Sequence, residues 1–169
     1  MINDILDITK IESRTLTLNL AEVDLTDLIN EVCNIIKPFF NYKNINVIKV
    51  LKPNTKIQAD KIKLQQVMFN ILGNAVKYSP EGGNITIKTS LYDNNVKISI
   101  KDEGCGINKK YHSKIFNKFF QVPNSQTNQT STGLGLTIAK EFIKLHNGEI
   151  GIISEPNKGC EFVITLPIK

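Results

Sequence analysis

Asn70 and Asn74 stand four residues apart in NILGNAVKYS (70–79), with Lys77 and Tyr78 close behind. On a helix this spacing gathers two carboxamides, an ammonium and a phenol on neighbouring parts of one face. A solvated face would account for polar residues there, but asparagine is a poor helix former that such faces usually replace with Lys or Glu. The chemistry available is more specific. A carboxamide oxygen is hard and neutral, so Asn74 could ligate Mg²⁺ without repelling phosphates bound to the same ion. Lys77 would then counter phosphate charge.

Three further stretches add to this set. In KDEGCGI (101–107) an acid closes a strand and two glycines follow. A plain turn explains the pattern; so does Asp102 accepting from the exocyclic amine of a base, with Gly104 and Gly106 letting the backbone approach the ring. In IFNKFF (115–120) the phenylalanines read as core, Phe116 and Phe119 included, and Lys118 stands between them as the exception. In STGLGLTIAK (131–140) Gly133 and Gly135 lie where a polar loop meets an amphipathic helix. The free amides of a helix start, with the dipole behind them, can seat an oligophosphate.

The elements that must hold these residues follow from periodicity. Apolar residues at mostly helical spacing mark residues 1–14, and TLTLNLAEV (15–23) alternates as a strand. Asp24 or Thr26 can cap a helix carrying Leu28, Ile29, Val32, Ile35 and Ile36, near whose end Pro38 falls. A strand over 45–51 and a turn at Pro53-Asn54 lead to a long helix capped by Asp60 and stopped by Pro80-Glu81-Gly82-Gly83. Strands 84–92 and 96–102 form a hairpin. A short helix around 109–117 precedes PNSQTNQTST (123–132), which has no apolar residue to anchor it and is expected to be mobile. A helix over 134–146, ended by Gly148, and a last hairpin of 149–154 and 160–168 complete the chain. The order α-β-α-β-α-β-β-α-α-β-β predicts an α/β fold in two layers, a mixed sheet covered on one face by helices.

The 169 residues suffice for one domain with a real core plus a short appendage. No apolar run reaches the roughly 20 residues of a membrane helix, and no basic n-region marks a signal peptide. The net charge is +5, yet the lysines are scattered and Arg14 is the only arginine, which fits a phosphate-handling surface better than a nucleic-acid partner. Cys33, Cys105 and Cys160 are odd in number and widely spaced, so reduced thiols in the cytoplasm are expected.

Taken in order, these segments resemble the catalytic and ATP-binding domain of a sensor histidine kinase, in the gyrase, heat-shock chaperone, histidine kinase and MutL ATPase superfamily. NILGNAVKYS is similar to the family's N box, DEGCGI to its G1 box, IFNKFF to its F box and TGLGL to its G2 box, and KLHNGEIGIISEPNKGCEFVITLP resembles its closing segment. The likeness implies the Bergerat ATP-binding fold over residues 19–169, with residues 1–18 the end of a dimerisation hairpin helix. It implies Asn74 as the Mg²⁺ ligand, Lys77 at the phosphates, Tyr78 near the base and Asp102 on the adenine amine. Gly104, Gly106 and Ile107 would shape the adenine pocket. Phe119, Thr132, Gly133, Leu134, Gly135 and Leu136 would complete the ATP contacts, and residues 107–132 would form a lid. Lys118 stands where the family often has arginine, keeping charge but not the forked geometry, and with Asn70 forms the catalytic pair. Hydrolytic members of the superfamily carry a glutamate in place of Asn70; asparagine cannot take a proton from water. That favours donation of the γ-phosphoryl over its hydrolysis.

A phosphoacceptor histidine is expected to be followed by an acid and, shortly after, a proline. His112 precedes Ser113 and His146 precedes Asn147, so neither fits, and both read as surface or helix-end residues. The resemblance therefore places the acceptor helix, any sensor and any membrane anchor upstream. It implies two partners: the dimerisation domain, in cis or in trans through a homodimer of helical hairpins, and a response-regulator receiver domain. Two other readings remain open: a module that senses nucleotide without transfer, and an ATPase of the chaperone or mismatch-repair kind.

Overall fold

A computed structural model describes residues 2–123 and 132–168. The elements run α1 (Ile2–Glu12), β1 (Ala21–Asp24), α2 (Leu25–Tyr42), β2 (Asn46–Val50), β3 (Lys56–Ala59), α3 (Lys61–Tyr78), β4 (Asn84–Tyr92), β5 (Asn95–Asp102), α4 (Gly135–Leu145), β6 (Glu149–Ser154) and β7 (Cys160–Pro167). Five strands form a mixed sheet in the order β2-β4-β5-β7-β6, parallel only between β2 and β4. Helix α3 lies between α2 and α4 and packs on β5.

Alternation along the strands builds the core. Register aligns Ile87, Ile100 and Phe162 in one row and Thr89, Ile98 and Ile164 in the next, all buried, while Lys88, Lys97 and Lys101 are exposed. Burying such residues contributes about 1.5–3 kcal/mol per large apolar side chain. One row beyond Ile100 stands Asp102, only 3% exposed, opposite Ile85. A carboxylate thus occupies the last position of a hydrophobic face.

Three sequence expectations need correction. The alternation over 15–23 yields a strand only at Ala21–Asp24, the part that pairs antiparallel with β3. Strand β3 itself was not anticipated. The helix expected around 109–117 is two 3₁₀ turns, Lys109–Tyr111 and Lys114–Phe116. The expected mobile loop falls mostly on 124–131, outside the described residues. Pro38 lies inside α2 and near its end, where the apolar pattern put it.

Asp60 ties three elements together. Its Oδ1 accepts from Lys63 N–H at 3.1 Å as the α3 N-cap, and its Oδ2 accepts from Asn19 N–H at 2.9 Å. Its own N–H donates to His146 Nε2 at 2.9 Å, while His146 Nδ1 lies 2.7 Å from the Phe142 carbonyl. His146 is a helix-end residue as expected, the C-cap of α4, and it is buried as a bridge between helices. Replacing it by Ala leaves a buried N–H unpaired, and His146→Ala is expected to lose about 1–3 kcal/mol of stability. Urea denaturation measures this; an unchanged midpoint would contradict it.

Among the described residues no helix is long and apolar enough to cross a membrane, and no disulfide is present.

Candidate functional site

A cleft of about 580 Å³ opens where the second half of α3, the end of β5 and the start of α4 converge. Asn70, Asn74 and Tyr78 line it from α3, each one helical step of four beyond the last. Asp102 lines it from β5, Gly106 and Ile107 from the loop after β5, and Thr132, Gly133, Gly135 and Leu136 from the start of α4.

At the sheet end the chemistry is that of a single aimed acceptor. Asp102 Oδ1 receives both the Gly104 N–H at 2.8 Å and the Cys160 N–H at 3.2 Å. Among the described residues no protein donor reaches Oδ2. Burial pushes the Asp102 carboxyl above its ordinary range, and the two amides pull it partway back. Phe120, Phe162 and Ile107 supply apolar wall around it. The combination suits a flat ring with one exocyclic donor. Gly104 is required here by a close approach: a Cβ on it would lie 2.7 Å from the Tyr78 carbonyl oxygen. Helix α3 and the loop after β5 thus meet backbone to backbone. Cys160 is held as a neutral thiol, since burial raises it to about 11.

At the helix end the groups are neutral donors and acceptors. Asn70 Nδ2 donates to the Gly135 carbonyl at 2.9 Å. The Asn74 amide makes no hydrogen bond among the described residues. Helix α4 has no side-chain cap from Leu134 and no acid in its first turn; Thr132 Oγ1 accepts from the Leu134 N–H at 3.3 Å, and the partial positive charge of the amides that follow lies at the cleft. Lys77 lies with its ammonium 5.3 Å from the Tyr78 ring centre, and burial lowers it from its ordinary range.

Gly133 answers why glycine opens this helix. Its φ is +69°, and a Cβ would meet the Phe119 backbone at 2.7 Å. The Phe119 N–H donates to the Gly133 carbonyl at 3.0 Å. The first glycine is thus demanded by packing against the Phe119 backbone, before any ligand is considered.

Several expected residues lie elsewhere. Phe119 has a positive φ of 60° and is 70% exposed, neither core nor cleft wall; Phe120 lines the cleft in its place. Leu134 is buried in the core beneath α4. Gly104 and Lys77 flank the cleft without lining it. Lys118 pairs with Glu12 of α1 and faces a separate cavity of about 250 Å³ with Ile8, Ile11 and Glu141.

Other cleft residues were not singled out in the sequence, among them Asp4, Asn157, Cys160 and Phe162. Alternation along β7 places Cys160 and Phe162 on the core face, and that signal was available. Asp4 had none, because it arrives on α1. That helix packs on α4 and is pinned by Asp7, whose oxygens take Lys63 Nζ at 2.9 Å and Gln66 Nε2 at 2.8 Å.

Residues 59–169 match the family model described as histidine kinase-, DNA gyrase B- and HSP90-like ATPase. The chain belongs to this ATPase family. Over 173 residues the ATPase domain is 34% identical to the sensor histidine kinase WalK of Bacillus subtilis, covering all of this chain and 28% of WalK. It is also 34% identical to the histidine kinase P4 of Formosa agariphila, covering 99% of this chain and 13% of P4. The chain therefore spans only a minor part of these relatives. Among solved structures, full-length ShkA in complex with AMPPNP superposes with a TM-score of 0.87 at 30% identity, over 98% of this chain and 34% of ShkA. The nucleotide-free catalytic domain of the histidine kinase ThkA gives 0.79 at 27% identity, over 89% of this chain and 97% of that domain. The mixed sheet with helices on one face is thus the fold of histidine-kinase catalytic domains, and the chain is an ATP-binding domain of that type.

Proposed function

We propose that this domain holds Mg²⁺-ATP in the cleft and donates the γ-phosphoryl to a histidine on a dimerisation helix of its own or a sister chain. The phosphate then passes to an aspartate of a response-regulator receiver domain. Residues 1–18 serve as the end of that dimerisation hairpin and residues 19–169 as the catalytic domain. The setting is cytoplasmic, with or without a membrane anchor on the parent protein.

The observation that carries the reading is Asn70. Its Nδ2 donates to the Gly135 carbonyl, and an asparagine at this point of α3 cannot take a proton from water; the carboxylates that line the cleft, Asp4 and Asp102, come from α1 and β5 instead. ATP bound beside it keeps its γ-phosphoryl until another nucleophile arrives. Positioning and charge neutralisation then supply most of the rate.

The residues fit a magnesium ion: the Asn74 amide, which makes no hydrogen bond among the described residues, offers a hard, neutral oxygen on the cleft wall. Bound there, the ion supplies charge neutralisation for the phosphate oxygens. Asp102 Oδ2 accepts from the adenine amine, Tyr78, Gly106 and Ile107 bound the ring, and Thr132, Gly133, Gly135 and Leu136 present the α4 start to the phosphates. Lys77 adds positive charge nearby. Lys118 can act in transfer only once its pair with Glu12 opens.

The test mixes the chain with γ-labelled ATP, Mg²⁺ and the dimerisation domain of a relative such as WalK. Base-stable, acid-labile label on that domain supports the reading. Nucleotide binding with no label identifies a sensing module, and rapid release of inorganic phosphate identifies an ATPase of the chaperone kind.

A further inference from the structure

Helix α3 ends in an unusual way. Pro80 has no N–H, so the donor that would close onto the Val76 carbonyl is missing. Ser79 N–H reaches Ala75 O at 3.0 Å, but Gly82 N–H turns to the Lys43 carbonyl at 2.9 Å and Gly83 N–H to the Pro80 carbonyl at 3.2 Å. The last carbonyls of α3 are left to a residue from another helix. Lys43 Nζ donates to Val76 O, Lys77 O and Ser79 O, each at 2.9 Å. Three donors of one ammonium meet three converging acceptors, at the negative end of the helix dipole. The one carbonyl it does not take, Tyr78 O, is the one against which Gly104 packs.

The surrounding corner is clasped as well. Asn44 Nδ2 donates to Glu81 Oε1 at 3.0 Å, and Asn46 N–H to the Gly83 carbonyl at 2.9 Å. Lys43 stands at the C-cap of α2, so the α2–β2 corner grips the final turn of α3 and the loop after it. That turn carries Lys77 and Tyr78, and Asn74 lies one turn before.

We infer that Lys43 is a positioning residue for the nucleotide site: it sets the α3 terminus so that Asn74 and Lys77 face the metal and phosphates. The inference rests on the proposed roles of those two residues. A lysine that merely added stability would change the unfolding midpoint and leave the metal dependence of nucleotide binding alone. A positioning lysine changes that dependence in the folded protein.

The experiment is calorimetric titration of the full chain with ATP, with and without Mg²⁺, well below the unfolding midpoint. The wild type is expected to bind ATP more tightly with Mg²⁺. In Lys43→Met that gain should shrink by about tenfold, the scale seen when the support of a metal ligand is removed, with metal-free affinity nearly kept. Lys43→Arg keeps charge and stem but cannot aim three N–H groups at one point. It should lose part of the gain, and it is the variant read where Lys43→Met yields no folded protein. A wild-type gain in the folded variant overturns the role of Lys43. No gain in the wild type overturns the proposed site instead.

Discussion

Asp102→Asn is expected to weaken ATP binding by about ten- to a hundredfold while leaving the fold intact. A hydrogen bond to a charged acceptor contributes about 1.5–3 kcal/mol, and the substitution does more than remove charge. Both backbone donors, Gly104 N–H and Cys160 N–H, fall on Oδ1. The Asn carbonyl must therefore take that position, which turns its NH₂ into the cleft, where it meets the adenine amine donor to donor. Stability should move the other way. Because burial raises the folded pKa of Asp102, the fold disfavours the carboxylate at neutral pH and gains relative stability as pH falls through that raised pKa. Removing the charge is then neutral or mildly stabilising. Wild-type affinity should decline on acidification at a pH above the ordinary carboxylate range, and the Asn variant should lack that step. Calorimetry across pH, with urea melts alongside, measures both. Wild-type affinity in folded Asp102→Asn would move the base pocket elsewhere.

Asn74→Ala should lower phosphoryl transfer by about a hundredfold or more, the scale of losing one preorganised electrostatic contact to a transition state. Adenosine binding, which depends on the Asp102 end, should persist. Asn74→Asp separates metal binding from phosphate tolerance. It restores a ligand oxygen but sets a negative charge beside the triphosphate, so transfer should stay depressed even at saturating Mg²⁺. The trans-phosphorylation assay reads the first quantity and adenosine titration the second. Transfer at the wild-type rate in Asn74→Ala would remove this residue from the metal site.

How much of this was legible depended on whether the signal was local. The α3 face could be read because Asn70, Asn74 and Tyr78 recur at helical spacing. Asp102 could be read because alternation along β5 ran to it and glycines followed. Lys43 could not, since its three acceptors lie 33 to 36 residues away and no local pattern marks a lysine as a cap for a distant helix. The alternation of 15–23 was real in the residues but found a partner only at Ala21–Asp24, because a strand needs a ladder as well as a pattern. KIQA (56–59) was too short to announce itself without that partner. Phe119 and Phe120 show a finer limit: the resemblance put Phe119 among the ATP contacts, but with a left-handed backbone Phe119 is exposed and Phe120 lines the cleft.

The sheet order has a consequence for biosynthesis. Strand β5 is central, yet one of its two neighbours is β7, near the end of the chain. Asp102 receives one of its two amides from Cys160, so the adenine seat is a joint product of early and late sequence. A nascent polypeptide still threaded in the ribosome, with Asp102 emerged and Cys160 not, has every N-box residue and still no finished seat. Synthesis must pass β7 before the domain can seat a nucleotide, however early its α3 residues have emerged.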